Sequence, residues 1–336
     1  MLSGWRGVSV VYDRCVELGK EIGRLVESMD VDQFLNPEYY PPADAPREVV
    51  TSYFLVMVAM DHRLSRPGKP YEAVVDGRLY HGADLLYRLG SKKLQEDPGF
   101  FTAKRLSRVT VEDVKEWLSV GNASPPDPDV RAKLLRDLGR KLMALYQGSA
   151  WMLIVESKGY LRRGVGEGFV DRLKVFTAYQ DPVEKKAFLL AKFLERRGVA
   201  RFADPHNKEL PVDNHLVRLA LRMGIVSATE DLLEAVRRQR EVDTLDDVAL
   251  RLASRRAWRI VAQHGGIDPF ILDDFLWAFG RLCCTRDAPT CRTGCSAKCR
   301  GMGWCDGGCP LSRVCRAYSD DRLMVPEHRF LLTWWY

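Results

Sequence analysis

Eight of the chain's nine cysteines fall between Cys283 and Cys315, and no other stretch of the 336 residues concentrates reactive side chains so strongly. The candidates are Cys283, Cys284, Cys291, Cys295, Cys299, Cys305, Cys309 and Cys315. Thiolates are soft donors that suit zinc and iron–sulfur clusters, and four of them complete the outer coordination of either. In a reducing compartment such clustering points to metal ligation rather than a disulfide framework. On residue type alone, two zinc ions shared among eight thiolates and a single iron–sulfur cluster both remain open. Cys15 stands alone and reads as a small buried side chain.

A second constellation lies about seventy residues upstream, in Pro211-Val212-Asp213-Asn214-His215-Leu216-Val217-Arg218. Asp is a favoured N-cap, and the helix dipole keeps its carboxylate ionised. The same carboxylate can stabilise positive charge developing on a sugar and activate water. Capping and catalysis are both open to Asp213. Further upstream, Lys185-Lys186 opens an apolar helix, Ala187-Phe188-Leu189-Leu190-Ala191. A lysine buried there would have a lowered pKa and act as a nucleophile; one in water would be an ordinary helix-start charge.

These segments together resemble the endonuclease III superfamily of DNA glycosylases. Its cluster loop spaces four cysteines by six, two and five residues and is entered from a helix ending in Gly-Arg. Here the helix ends Gly280-Arg281, six residues separate Cys284 from Cys291, and five separate Cys309 from Cys315. The middle interval departs from the family, with seventeen residues between Cys291 and Cys309. By the resemblance the ligands of a 4Fe-4S cluster are Cys284, Cys291, Cys309 and Cys315. The inserted Cys295, Cys299 and Cys305 are then left to a second metal, to act as alternative ligands, or to neither.

The family's essential Asp stands in a Val-Asp-Thr-His context, which places Asp213 in that role, with Asn214 where Thr is usual. The family's Leu-Pro-Gly-Val-Gly hairpin is missing at its expected place. Gly164-Val165-Gly166 lies too far upstream of Asp213 to be carried over as that element. More remotely, archaeal 8-oxoguanine glycosylases pair a degenerate hairpin with a Lys that opens an apolar helix before Pro-Val-Asp, which implicates Lys186, 27 residues before Asp213. The resemblance covers residues 150–316 and implies base excision from DNA by N-glycosidic cleavage, with lyase activity through Lys186. His215, Arg218, Arg281, Arg292 and Arg313 become the expected nucleic-acid contacts.

Two other functions remain open: a nucleoside or RNA N-glycosidase of the queuosine-salvage type, and a non-catalytic iron–sulfur nucleic-acid-binding protein. Duplex DNA is the expected partner and no membrane is expected.

The elements that must position these groups read as mostly α. Apolar periodicity predicts helices over 10–28 and 48–64, a β-hairpin around Asp76-Gly77, and a helix from Ala83. The Pro125-Pro126 loop within Asn122–Asp129 suggests a boundary. Beyond it, helices are expected over 130–157, 169–178, from Asp181 to Arg197, after Asp213, and over 229–240, 244–263 and 268–283. The resulting division is an amino-terminal helical region with a short β-hairpin (1–125), a helix-hairpin-helix glycosylase-like domain (126–265), and an iron–sulfur segment with tail (266–336). Asp61-His62-Arg63 and the aromatics Trp151, Tyr160, Phe176 and Tyr179 suit either a base pocket or core packing.

The chain carries 51 Lys+Arg against 45 Asp+Glu, a net +6, which suits phosphate partners without requiring them. No apolar run approaches the length of a bilayer span and no secretory signal pattern opens the chain, so the expected compartment is the cytoplasm.

Overall fold

A computed structural model describes residues 5–26, 29, 32–66, 68–305, 307–331 and 333–336. From the amino end the elements are β1 (Ser9–Val10), α1 (Tyr12–Val26), α2 (Arg47–Met60), β2 (Glu72–Val75), β3 (Arg78–His81), α3 (Ala83–Glu96), α4 (Ala103–Leu106), α5 (Val111–Leu118), α6 (Pro128–Leu145), α7 (Met152–Glu156), α8 (Phe169–Leu173) and α9 (Lys185–Arg196). There follow α10 (Asn214–Met223), β4 (Val226–Ser227), α11 (Glu230–Arg237), β5 (Glu241–Val242), α12 (Thr244–Gly265), α13 (Pro269–Leu282), α14 (Thr290–Thr293), α15 (Ala297–Gly301), α16 (Arg316–Ser319) and β6 (Arg329–Phe330). The fold is mostly α, and among the described residues no helix is long and apolar enough to cross a membrane.

The hairpin forms where the sequence places it. Val75 pairs with Arg78, and Asp76 and Gly77 both have positive φ, the conformation that a two-residue turn between twisted strands demands. Of the helix expected over 10–28, Tyr12–Val26 is described, while Glu27 and Ser28 lie outside the described residues. The helical 130–157 segment forms two helices, α6 and α7, separated after Leu145 where Gln147 and Gly148 take positive φ. One expected helix is shorter, since the 169–178 helix stops at Leu173 before a single 3-10 turn, Thr177–Tyr179.

The chain divides into two compact units: Met1–Val31 with Glu209–Leu331, and Asp32–Lys208 with Leu332–Tyr336. This differs from the three sequential segments expected. The Pro125-Pro126 loop is internal to the second unit, because α6 beyond it packs against α4 and α5 before it. Proline marks where a helix cannot run, not where contacts cease.

In the first unit α1 lies along α12. The approach is close enough that a Cβ on Gly19 would stand 2.7 Å from the Val261 carbonyl oxygen, and one on Gly265 would stand 2.7 Å from the Gly19 carbonyl oxygen. The amino-terminal helix is thereby built into the carboxyl-terminal half. β1 pairs antiparallel with β4, and β5 pairs parallel with β6.

In the second unit the apolar run of α2 is core: every residue from Val50 to Met60 is buried. A helix apolar on all sides must be enclosed by neighbours. Phe54 stacks on Phe193 of α9 at 5.0 Å between centroids, and Phe193 also meets Phe34 edge-on at 4.6 Å. Phe176 and Tyr179 are fully buried, so their role is packing.

Because backbone rather than a flexible side chain opposes Gly19, Gly19→Ala is expected to cost about 1–3 kcal/mol by overpacking. Denaturant unfolding measures it; an unchanged midpoint would mean that α1 does not lie in this contact.

Candidate functional site

The cysteine segment begins where α13 ends. Cys283 and Cys284 both donate their N–H to the Phe279 carbonyl, closing the helix, and the Thr290 N–H returns to the Cys283 carbonyl. The eight cysteines divide evenly. Cys283 is disulfide-bonded to Cys299 and Cys295 to Cys305, while Cys284, Cys291, Cys309 and Cys315 are free and half-buried. The disulfides correct the expectation that no such framework forms here. Of the inserted cysteines, Cys299 is paired with Cys283, and Cys295 and Cys305 with each other.

The four free thiols are the four that the spacing of the flanks selects, and they feel one another's charge. Burial pushes the Cys309 thiol up to about 12, with Cys284, Cys291 and Cys315 adding to the shift. Cys315 is pushed to about 11 by burial and by Cys284 and Cys291, and Cys291 is raised by burial and Cys284. Left alone, Cys291, Cys309 and Cys315 hold their protons more tightly than free thiols; a bound cationic centre reverses that preference and releases them. Among the described residues no three His, Cys, Asp or Glu side chains converge as ligands of a single ion.

Two arginines of α10 hold this segment in place. Arg218, 1 % exposed, donates through Nη2 to the carbonyls of Gly280 (2.7 Å) and Cys284 (2.8 Å) and pairs through Nη1 with Glu327. Arg222, also 1 % exposed, donates to the carbonyls of Val325 (2.7 Å), Thr285 (2.8 Å) and Arg286 (2.7 Å). Its Nη1 also stands 3.4 Å from Cys284 Sγ, placing a buried cation beside a candidate ligand. Arg218, expected as a nucleic-acid contact, is buried here and occupied by Glu327 and backbone carbonyls. Arg222 escaped the sequence reading, although its position one turn beyond Arg218 puts both on one face.

Asp213 caps α10. Its backbone is extended and Oδ1 accepts the Leu216 N–H at 2.9 Å. Val212 before it and Leu216 after it are buried, which fixes the entry of the chain. Nδ1 of His215 lies 3.1 Å from Glu327 Oε1 and 3.3 Å from Arg218 Nη1, so this imidazole is tied to the arginine brace. Of the other expected nucleic-acid contacts, Arg281 stacks over the Trp277 ring at 4.2 Å, Arg292 donates to the Ala317 carbonyl (3.0 Å) and pairs with Asp321, and Arg313 is exposed.

Lys186 belongs to the second unit and is fully buried there. Its Nζ donates to the carbonyls of Ala59 (2.8 Å) and Trp334 (2.7 Å) and lies 3.2 Å from His62 Nδ1. Burial holds the amine well below the usual lysine range, with the neighbouring Lys185 charge adding to the shift and Asp181 opposing it. Burial also lowers the His62 imidazole, helped by Arg131 and Lys186. Lys185 faces differently: its side chain keeps 9 % exposure, with Nζ 3.1 Å from the Asp61 carbonyl. Buried Asp181 joins the two lysines by accepting their N–H groups at 2.7 and 3.3 Å. Arg131 fastens the end of α2 through the Met60, His62 and Arg63 carbonyls. No local pattern in the sequence announces Asp181 or Arg131 as partners.

Between its lowered pKa and the ordinary 10.5, the Lys186 amine is neutral when folded and protonated when unfolded, so its contribution to stability rises with pH across that window. Lys186→Met is expected to remove this rise. The measurement is the wild-type minus mutant difference in unfolding free energy between pH 7 and 10.5; a difference independent of pH would place the amine in water.

Alkylation of metal-free, denatured protein without reductant is expected to modify five cysteines, the buried Cys15 and the quartet, and nine after reduction. Nine at the outset would show that the two disulfides are absent.

No protein-family model matches this chain, and no curated protein sequence matches it.

Proposed function

We propose that the chain is a glycosidase of the helix-hairpin-helix DNA glycosylase type, with a four-iron cluster on Cys284, Cys291, Cys309 and Cys315 and Asp213 as its working carboxylate. What carries this reading is that one helix serves both centres: α10 begins at Asp213 and sends Arg218 and Arg222 to the loop that bears Cys284. The choice of a four-iron cluster over zinc rests on the resemblance of the cysteine flanks and the Gly280-Arg281 entry to the glycosylase cluster loop. The cluster's part is to tie the segment together; no chemical step is assigned to it.

A Gly-rich turn, which its distance from Asp213 excludes as the family's hairpin, is a separate candidate contact for a phosphate. Arg163–Gly168 is a turn between the short helices α7 and α8, closed by the Glu167 N–H on the Arg163 carbonyl, with Gly164 and Gly166 at positive φ and Val165 fully exposed. The N–H groups of Gly164, Val165 and Gly166 have no main-chain partner among the described residues, and consecutive exposed N–H groups form a concavity that accepts phosphate oxygens. The exposed basic side chains of the cysteine segment, Arg292, Lys298, Arg300 and Arg313, suit duplex DNA in the same way.

In the reaction proposed, the C–N glycosidic bond breaks and the base leaves with the bonding electrons and a proton. Asp213 stabilises the positive sugar and draws a proton from the water that adds to it. Lyase activity would use the neutral amine of Lys186, whose access requires the Trp334 carbonyl to move aside, or alternatively Lys185, whose side chain already has some exposure.

The test is base release from damaged duplexes, single strands and modified nucleosides by anaerobically purified, metal-loaded protein. Asp213→Asn is expected to lower the rate about 100- to 10,000-fold while leaving the thermal midpoint nearly unchanged, because Asn caps a helix about as well as Asp. Borohydride trapping on an abasic duplex assigns the amine: a cross-link lost in Lys186→Ala but kept in Lys185→Ala identifies Lys186, and the converse identifies Lys185. Release confined to free nucleosides would select the queuosine-salvage type. Absence of release from every substrate would leave a nucleic-acid-binding protein without this chemistry.

A further inference from the structure

Beside Asp213 the first unit contains a chain of polar side chains that the proposed chemistry does not use. Arg251 on α12 is fully buried, and its Nη2 donates to Asn214 Oδ1 at 2.6 Å. Its Nε donates to Asp247 Oδ1 at 2.7 Å, and the guanidinium lies 4.9 Å from the centre of the Phe330 ring. Asp247 Oδ1 also receives His328 Nε2 at 2.6 Å, and both residues are buried. The chain therefore runs His328–Asp247–Arg251–Asn214 and ends on the residue that follows Asp213.

Buried ion pairs are weak sources of stability, because desolvation offsets their attraction; what they supply is a fixed geometry. Here the geometry fixed is that of the Asn214 amide. A guanidinium only donates, so the amide atom facing Arg251 must be the oxygen. The NH2 group is then turned away from Arg251, on a half-buried side chain adjoining the candidate carboxylate, and no hydrogen bond from it occurs among the described residues. This accounts for Asn at a position where the resembled family has Thr: an amide can accept from Arg251 and still offer two donors, whereas a hydroxyl has a single proton and a shorter reach.

We infer that Asn214 binds a phosphate oxygen of the nucleic-acid strand flanking the nucleotide at Asp213, through its Nδ2 donors, and that Arg251, held by Asp247 and His328, is the positioning residue that aims them. This rests on the glycosidase reading above. Phosphate is the acceptor that flanks every sugar whatever the base, so the contact favours an opened site without selecting a base.

The test is equilibrium binding of metal-loaded protein to a duplex with a stable abasic-site analogue and to the same duplex undamaged, which requires no turnover. Wild type is expected to prefer the abasic duplex. Asn214→Ala is expected to lose about 3- to 10-fold of that preference, the loss of one or two neutral hydrogen bonds, and Asn214→Thr to recover part of it. Arg251→Met is expected to lose a similar factor alone and to add nothing in the Asn214→Ala background, because the two act through one contact. A purely structural Asn214 would change the thermal midpoint and leave the preference intact. Wild type without any preference overturns both this inference and the glycosidase reading. A wild-type preference that survives in Asn214→Ala overturns this inference alone, and that pair of proteins decides the matter even if Arg251→Met does not fold.

Discussion

The first unit depends on two guanidinium groups that leave one face of α10 and end on backbone carbonyls of the cysteine segment. Arg218 reaches Gly280 and Cys284, and Arg222 reaches Val325, Thr285 and Arg286. The chain from Gly280 to Arg286 leaves a helix and enters an irregular loop, so its carbonyls have few helical partners and need donors from elsewhere. Arginine suits the task because its planar fork presents five donors and remains charged. Removing either side chain would leave one buried carbonyl and at least one part-buried carbonyl without this donor at once, a larger loss than that of one bond.

That brace ties the cysteine segment and a candidate acid to one helix. Asp213 caps the same helix whose interior carries the arginines, so the position of the carboxylate and that of the Cys284 loop are set by one rigid element. Glu327 joins the arrangement from the carboxyl-terminal side by pairing with Arg218 and His215, and the next residue, His328, reaches Asp247. Two successive residues of one short segment thus secure the start of α10, one directly and one through α12.

The second unit places its charges in another way. Around Lys186 three main-chain and imidazole partners enclose an amine that burial has made easy to deprotonate. Asp181 and Arg131 are buried beside the same helix ends, so the neighbourhood contains carboxylate, guanidinium, imidazole and amine with almost no water. Such environments shift protonation far more than exposed pairs do, and they also occur in purely structural networks. The trapping experiment separates those roles.

The sequence by itself determined most of the elements. Period-2 and period-3.6 patterns with turn residues placed the hairpin and most helices, because side-chain direction is a local consequence of backbone geometry. The resemblance to the glycosylase cluster loop points to Cys284, Cys291, Cys309 and Cys315, and these four are free thiols in the structure. Only the tertiary structure decided that the remaining four pair as disulfides, that Arg218 faces inward, and that α1 joins the carboxyl-terminal half. It alone brought Arg251, Asp247 and His328 to Asn214 and Trp334 to Lys186. Each of these is a contact between residues far apart in the chain, created by packing, and no spacing along the sequence encodes which side chain a buried donor will meet.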